Sequence, residues 1–333
     1  MKSFLPRSML AASTFALFGA VCQPAVAQVI KVDGSSTVYP ITEAVAEEFQ
    51  KFNRGLKVTV GVSGTGGGFK RFCRNETDIS DASRPITRSE MDACKAAGVE
   101  YFELPVAFDA LTVVINPRNT WLKQATVAEL KKLWEPAAQG KVMRWNQVNP
   151  TWPDQPVKLF GAGSESGTFD YFTEAIVGKS KSSRSDFTAS EDDNVLVQGV
   201  AGDVNALGYF GYAYYAENRN KLKALPIVEK DGKQAVLPSE GTVINGTYQP
   251  LARPIFIYVN AKSLGKPEVK KFVDFYLVNA AKMSKEVKYV PLPADAYKTA
   301  AAHLTQGKKG TVFGGKNEVG ITIAELLKRE ASQ

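Results

Sequence analysis

Hydroxyls and glycines, rather than nucleophile and base pairs, are the residues of this 333-residue chain whose spacing carries chemistry. Ser36 and Thr37 follow Asp33-Gly34-Ser35. Ser63, Gly64, Thr65, Gly66, Gly67 and Gly68 run together, and Ser164, Ser166, Gly167 and Thr168 follow Gly161-Ala162-Gly163. Small residues in such turns leave backbone N–H groups and hydroxyls accessible, and N–H groups at the start of a helix attract an anion. Three such turns aimed at one point suit a small tetrahedral oxyanion. The Ser36, Thr37, Thr65, Ser166 and Thr168 hydroxyls and the Arg84 guanidinium are the candidate donors. Plainer readings stand beside this one: the Ser/Thr pairs as helix caps and Arg84 as a surface side chain. Recurrence of the turns in matched settings weighs toward the anion.

Catalysis fits the residues less well. His303 is the single histidine and lies in a polar, alanine-rich segment read as surface, so a serine triad would have to reach it there. Gly61-Val62-Ser63-Gly64 is followed by Thr65 where a nucleophile elbow needs glycine. Gly178-Lys179-Ser180 has Thr173 in place of the first P-loop glycine, and Gly64 to Phe69 ends in phenylalanine where a dinucleotide fingerprint has glycine. There is no His/Cys metal cluster and no cofactor motif. A carboxylate-only site built from Asp78, Asp81 and Asp192 stays open. Binding without turnover is the leading function. If one carboxylate does adjoin the anion, it selects hydrogen phosphate, which has a proton to donate, over sulfate, which at neutral pH has none.

The elements that must position these turns share one plan. Val58, Val60 and Val62 alternate as a strand, and Phe69, Phe72 and Cys73 follow as a helix over residues 69–76. VIKV precedes the first turn, with the amphipathic run Ile41, Ala44, Val45, Phe49 and Phe52 after it. VKLF precedes the third, with Phe169, Phe172 and Ile176 after it. Thr87 with Glu90, and Thr126 with Glu129, read as capping boxes. Pro85 keeps Arg84 extended and outside a helix. ALGYFGYAYYAENRN reads as strand up to Tyr215, Lys230 to Lys233 as a hairpin turn, and Trp145 and Trp152 as packing anchors. Alternation of strand and helix argues for α/β layers. The extended passages near residues 110–117 and 254–260 are placed to pair as two connections between lobes, the first lobe containing both chain ends.

Composition agrees with a soluble globular chain, 44% hydrophobic and 23% charged. Residues 1–27 read as a secretory signal peptide: Lys2 and Arg7, a short apolar core, then Ala25-Val26-Ala27 before Gln28. The basic excess of +7 is spread through surface pairs, which calls for no nucleic acid. In an oxidising compartment Cys73 and Cys94 can bridge, closing a loop worth roughly 3 kcal/mol; two unpaired core thiols are the alternative.

DGSSTVYP, GVSGTGGGFKRF, DISDASRP and GSESGTFDYFTEAI, in that order, resemble the periplasmic phosphate-binding protein of the high-affinity phosphate ABC transporter, the PstS family. The resemblance implies an α/β, type II periplasmic-binding-protein fold of two lobes joined by a two-segment hinge. Lobe 1 would be 28–110 with 256–333, and lobe 2 111–255. It implies a monomer that closes on inorganic phosphate in the periplasm and delivers it to a membrane permease, with no catalytic group or cofactor. The alternative is a carrier or signalling receptor for another tetrahedral oxyanion such as sulfate. Carried over by position, the site is Ser36, Thr37, the Val38 amide, Thr65, Gly66, Ser166, Gly167 and Thr168. Ser83 stands where better-known members have aspartate, and Ala162 where they have arginine. Asp81 and Arg84 are therefore expected to replace the missing acceptor and guanidinium.

Overall fold

The computed structural model describes Met1, residues 28–316 and 318–332. The expected signal peptide, apart from Met1, lies outside the described residues. Gln28–Gly34 (β1) leads through a short turn into Tyr39–Phe52 (α1), then Leu56–Val62 (β2), Gly64–Phe72 (α2), Ile79–Ala82 (β3) and Arg88–Ala96 (α3). Tyr101–Ile115 (β4) crosses the molecule. Ala125–Thr126 (β5), Val127–Trp134 (α4), Lys158–Ala162 (β6), Gly167–Phe172 (α5), Thr188–Ser190 (β7), Asp193–Gly202 (α6), Ala206–Gly211 (β8) and Tyr212–Glu217 (α7) follow. After Lys223–Ala224 (β9), Ile227–Val228 (β10) and Glu240–Ile244 (α8), the chain crosses back as Ala252–Asn260 (β11). It ends in Ala261–Leu264 (α9), Pro267–Glu286 (α10), Val290–Pro291 (β12), Ala294–Gln306 (α11) and Ile323–Ser332 (α12).

The main sheet runs β2-β1-β3-β11-β4-β8-β6-β7. β1 is parallel to β2 and β3, and β6 is parallel to β7 and β8, as helical crossovers require. β11 is antiparallel to both β3 and β4. All fifteen residues of β4 are buried, which is why it reads as a near-continuous apolar run rather than an alternating one. Nine of its first ten residues pair with β11, the register shifting past Val106, and Leu111–Ile115 pair with β8. One strand thus belongs to both halves of the sheet. The crossing passages do pair, but Ala110 opposes Ala252 and Tyr101 opposes Asn260, so the contact lies earlier along β4 than the 110–117 expectation.

Local signals were reliable where they spanned one turn. Thr87 with Glu90 and Thr126 with Glu129 form reciprocal capping boxes. Trp121, Trp145 and Trp152 pack on one another, with ring centroids 5.2–5.9 Å apart. Cys73 and Cys94 are disulfide-bonded, tying the end of α2 to α3. Three expectations are corrected. The glycine run is not a loop: α2 begins at Gly64, the one glycine between 64 and 68 with positive φ. A Cβ at Gly68 would come within 2.6 Å of the Gly34 Cα, so these glycines let a helix lie directly on the sheet backbone. Residues 212–217 are helix rather than strand. His303 is not a surface residue: it is 2% exposed, with Nδ1 3.3 Å from Glu330 Oε2.

Candidate functional site

Where the two halves of the sheet face each other, the three turns meet. Thr37 Oγ1 lies 2.9 Å from Thr168 Oγ1, joining the first turn to the third. Thr65 Oγ1 lies 3.1 Å from Ser83 Oγ and accepts from the Ser83 amide at 3.2 Å. Gly167 sits against that pair: a Cβ on it would come within 2.4 Å of Ser83 Oγ and 2.5 Å of Thr65 Oγ1. Ser166 caps α5 by accepting from the Thr168 amide. The Gly66 amide donates to the Glu165 carbonyl at 3.2 Å, and the Val38 amide to the Ser35 carbonyl. Ser36, Thr37, Thr65, Ser83, Ser166 and Thr168 are each at most 5% exposed. Burying six hydroxyls at one seam is costly unless something accepts from them and donates to them.

A guanidinium joins this cluster, and it is Arg253. The side chain is 1% exposed. Nη2 donates to Thr168 Oγ1 at 2.8 Å and reaches Thr37 Oγ1 at 3.4 Å, while Nη1 donates to the Gly167 carbonyl at 2.8 Å. Behind it, Asp109 Oδ2 accepts from Nη2 at 3.2 Å. The two residues are cross-strand partners, Arg253 on β11 opposite Asp109 on β4. Burial raises the Asp109 carboxyl above its usual range, against the pull of Arg253. Asp193, at the start of α6, is pushed up to about 7, first by burial and then by the Asp109 charge. Sequence reading missed Arg253 and Asp109. The available signal was one charge of each sign inside otherwise apolar strands, RPIFIYVN and PVAFDALTVV, where an unpaired charge is not tolerated.

The two expected replacements lie elsewhere. Arg84 is buried, but Nε donates to Asp170 Oδ2 at 2.7 Å, both terminal nitrogens donate to Glu90 at 2.8 and 2.9 Å, and Nη1 also donates to the Pro85 carbonyl. Its donors are spent on carboxylates rather than aimed at the hydroxyl cluster. Asp81 points into the interior of the first half, where Oδ1 accepts from Thr42 at 3.0 Å and Oδ2 has no partner. Burial holds its carboxyl well above the usual range. Asp78 is engaged by Lys266, Ser263 and the Lys31 amide, and Asp192 caps α6. Among the described residues no group of three or more His, Cys, Asp or Glu side chains is arranged to hold a metal.

Two α/β halves that share crossing strands and meet at a seam of buried donors define a type II periplasmic-binding-protein fold. The profile of the PBP superfamily domain matches residues 22–280. Protein SphX of Synechococcus elongatus is 54% identical over 326 residues, covering 98% of this chain and 95% of that protein. Phosphate-binding protein PstS of Staphylococcus saprophyticus is 37% identical over 271 residues, covering 80% and 82%. A crystal structure of a possible phosphate binding protein from Planctomyces limnophilus is 50% identical, with a TM-score of 0.64 over 84% of this chain and 99% of that one. The chain belongs to the PBP superfamily and, within it, to the PstS family.

Proposed function

We propose that this protein captures one inorganic phosphate between its lobes and hands it to the membrane permease of an ABC transporter, without chemical turnover. The observation that carries the reading is the convergence of Thr37, Thr65, Ser83, Thr168 and Arg253 at one buried seam. Ser36, Ser166 and the Gly167 backbone complete the proposed shell around the anion; the Gly66 and Val38 amides donate to the Glu165 and Ser35 carbonyls and join the shell only by exchanging those partners. Hydroxyls can donate to oxyanion oxygens and accept its proton, and a buried guanidinium supplies charge. The relatives named as phosphate-binding proteins support the ligand. Export to the periplasm by removal of residues 1–27, and action as a monomer, belong to the same proposal. So do the lobes: 28–110 with 256–333, and 111–255. β4 changes partner after Ala110, which supports the first crossing point.

Calorimetric titration of phosphate-stripped mature protein, with sulfate as competitor, tests this directly. One phosphate per chain, bound at micromolar or tighter affinity and undisturbed by excess sulfate, is the expected result. Ser83 is uncharged where the family resemblance implies an aspartate, and this favours a second reading, a carrier for a fully deprotonated oxyanion. Folded protein that ignores phosphate and binds sulfate would establish that reading instead.

A further inference from the structure

Arg84 spans the cleft. It leaves the first lobe just after β3 and is fixed there by Glu90 through two hydrogen bonds, while its Nε crosses to Asp170 on α5 of the second lobe. Arg84 and Asp170 are 2% and 3% exposed in their side chains. Asp170 Oδ1 has no hydrogen-bond partner, and the nearest other cation, Lys181 Nζ, is 3.8 Å away. Without Arg84 this buried carboxylate would keep only Lys181, a longer contact to a largely exposed side chain, and would lose its one buried partner. The other contacts across the same edge run parallel to it: the Gly66 amide to the Glu165 carbonyl, and Lys70 to Glu165 at 2.9 Å in a position more open to solvent. Together Gly66, Phe69, Arg84, Glu90, Glu165 and Lys181 line a recess of about 330 Å³ at the mouth of the seam.

We infer that Arg84 is a positioning residue, a latch whose bond to Asp170 forms only when the lobes close and which slows escape of the bound anion. This rests on the proposal that phosphate occupies the seam. Asp170 lies two residues beyond Thr168 on the same short helix, so the latch holds the third turn against the first lobe while Arg253 and the hydroxyls hold the ligand. When the lobes part, Glu90 keeps Arg84 in place and Asp170 returns to water. The closed state therefore gains the pair, and the open state loses nothing by its absence.

The test is Asp170→Asn, which keeps the shape and removes the charge, examined alone and with Arg84→Gln. Stopped-flow release of phosphate should be about tenfold faster in either variant, with association within about twofold of wild type, since most changes of this kind appear in the off-rate. The double variant should release no faster than the faster of the two single variants, that is, non-additively, as for one shared contact. The melting temperature of ligand-free Asp170→Asn should match wild type, which a merely structural ion pair would not allow. Wild-type release by Asp170→Asn, or additive effects in the double variant, would overturn the latch. Failure of the phosphate reading would show separately, as no binding by wild type. The latch would then be judged on sulfate, the anion of the second reading: faster sulfate release by Asp170→Asn supports it, and a wild-type rate sinks it.

Discussion

Arg253 and Asp109 face each other in register on two buried strands, and between them they set the charge of the seam. A lysine at 253 would keep the positive charge but not the planar fork that meets Thr168, the Gly167 carbonyl and Asp109 at once. Arg253→Lys is therefore expected to weaken phosphate binding at least tenfold, a loss of ~1.4 kcal/mol or more. Unchanged affinity in the titration would remove Arg253 from the site. The same experiment on Asp81→Asn should behave differently. Asp81 is turned toward Thr42 and Tyr276 rather than the hydroxyls, so its replacement should leave the ratio of phosphate to sulfate affinity within about twofold. Erosion of that ratio would return Asp81 to a selective role.

The last helix, α12, docks through groups that are cheapest when uncharged. Glu330 is pushed up to about 8 by burial and then by the Glu103 charge, and Glu103 itself to about 7 by burial. His303, beside Glu330, is lowered by burial and by Lys308. A carboxyl whose folded value lies above its ordinary 4.5 binds protons in the folded state that the unfolded chain has released, so stability falls as pH rises from there through about 8. Glu330→Gln should flatten that decline, and at about pH 8.5 it should melt about 2–4 °C above wild type, a gain on the order of 1 kcal/mol. Parallel pH profiles for the two proteins would show that Glu330 is ionised without cost. This cluster also marks where sequence reading stops at the element scale. Thr87 with Glu90 is legible because a capping box is complete within four residues. Burial of His303 depends on a helix twenty residues further on, and polar neighbours in sequence pointed the other way. The run up to Tyr215 is aromatic-rich as strands are, but β8 ends at Gly211 beside Asp109, and the chain turns into helix there.

At the scale of the whole molecule, the three turns were legible because each is a contiguous strand, turn and helix, and so was the pairing of the crossing passages. Their common target was legible only as a pattern; the choice between Arg84 and Arg253 was not, because it depends on the register of β4 against β11 and on which carboxylates the fold brings within reach. That dependence has a thermodynamic consequence. β4 pairs nine residues with one half of the sheet and five with the other, and is buried throughout, so neither half can lose its structure without unpairing a strand the other uses. Calorimetry of the mature protein should show a single unfolding transition. Phosphate at a thousandfold excess over its dissociation constant should stabilise it by about 4 kcal/mol, because the ligand binds only the folded, closed form. Two separable transitions, with phosphate moving only one of them, would mean that the site lies within one lobe and that closure across the seam is not what holds the anion.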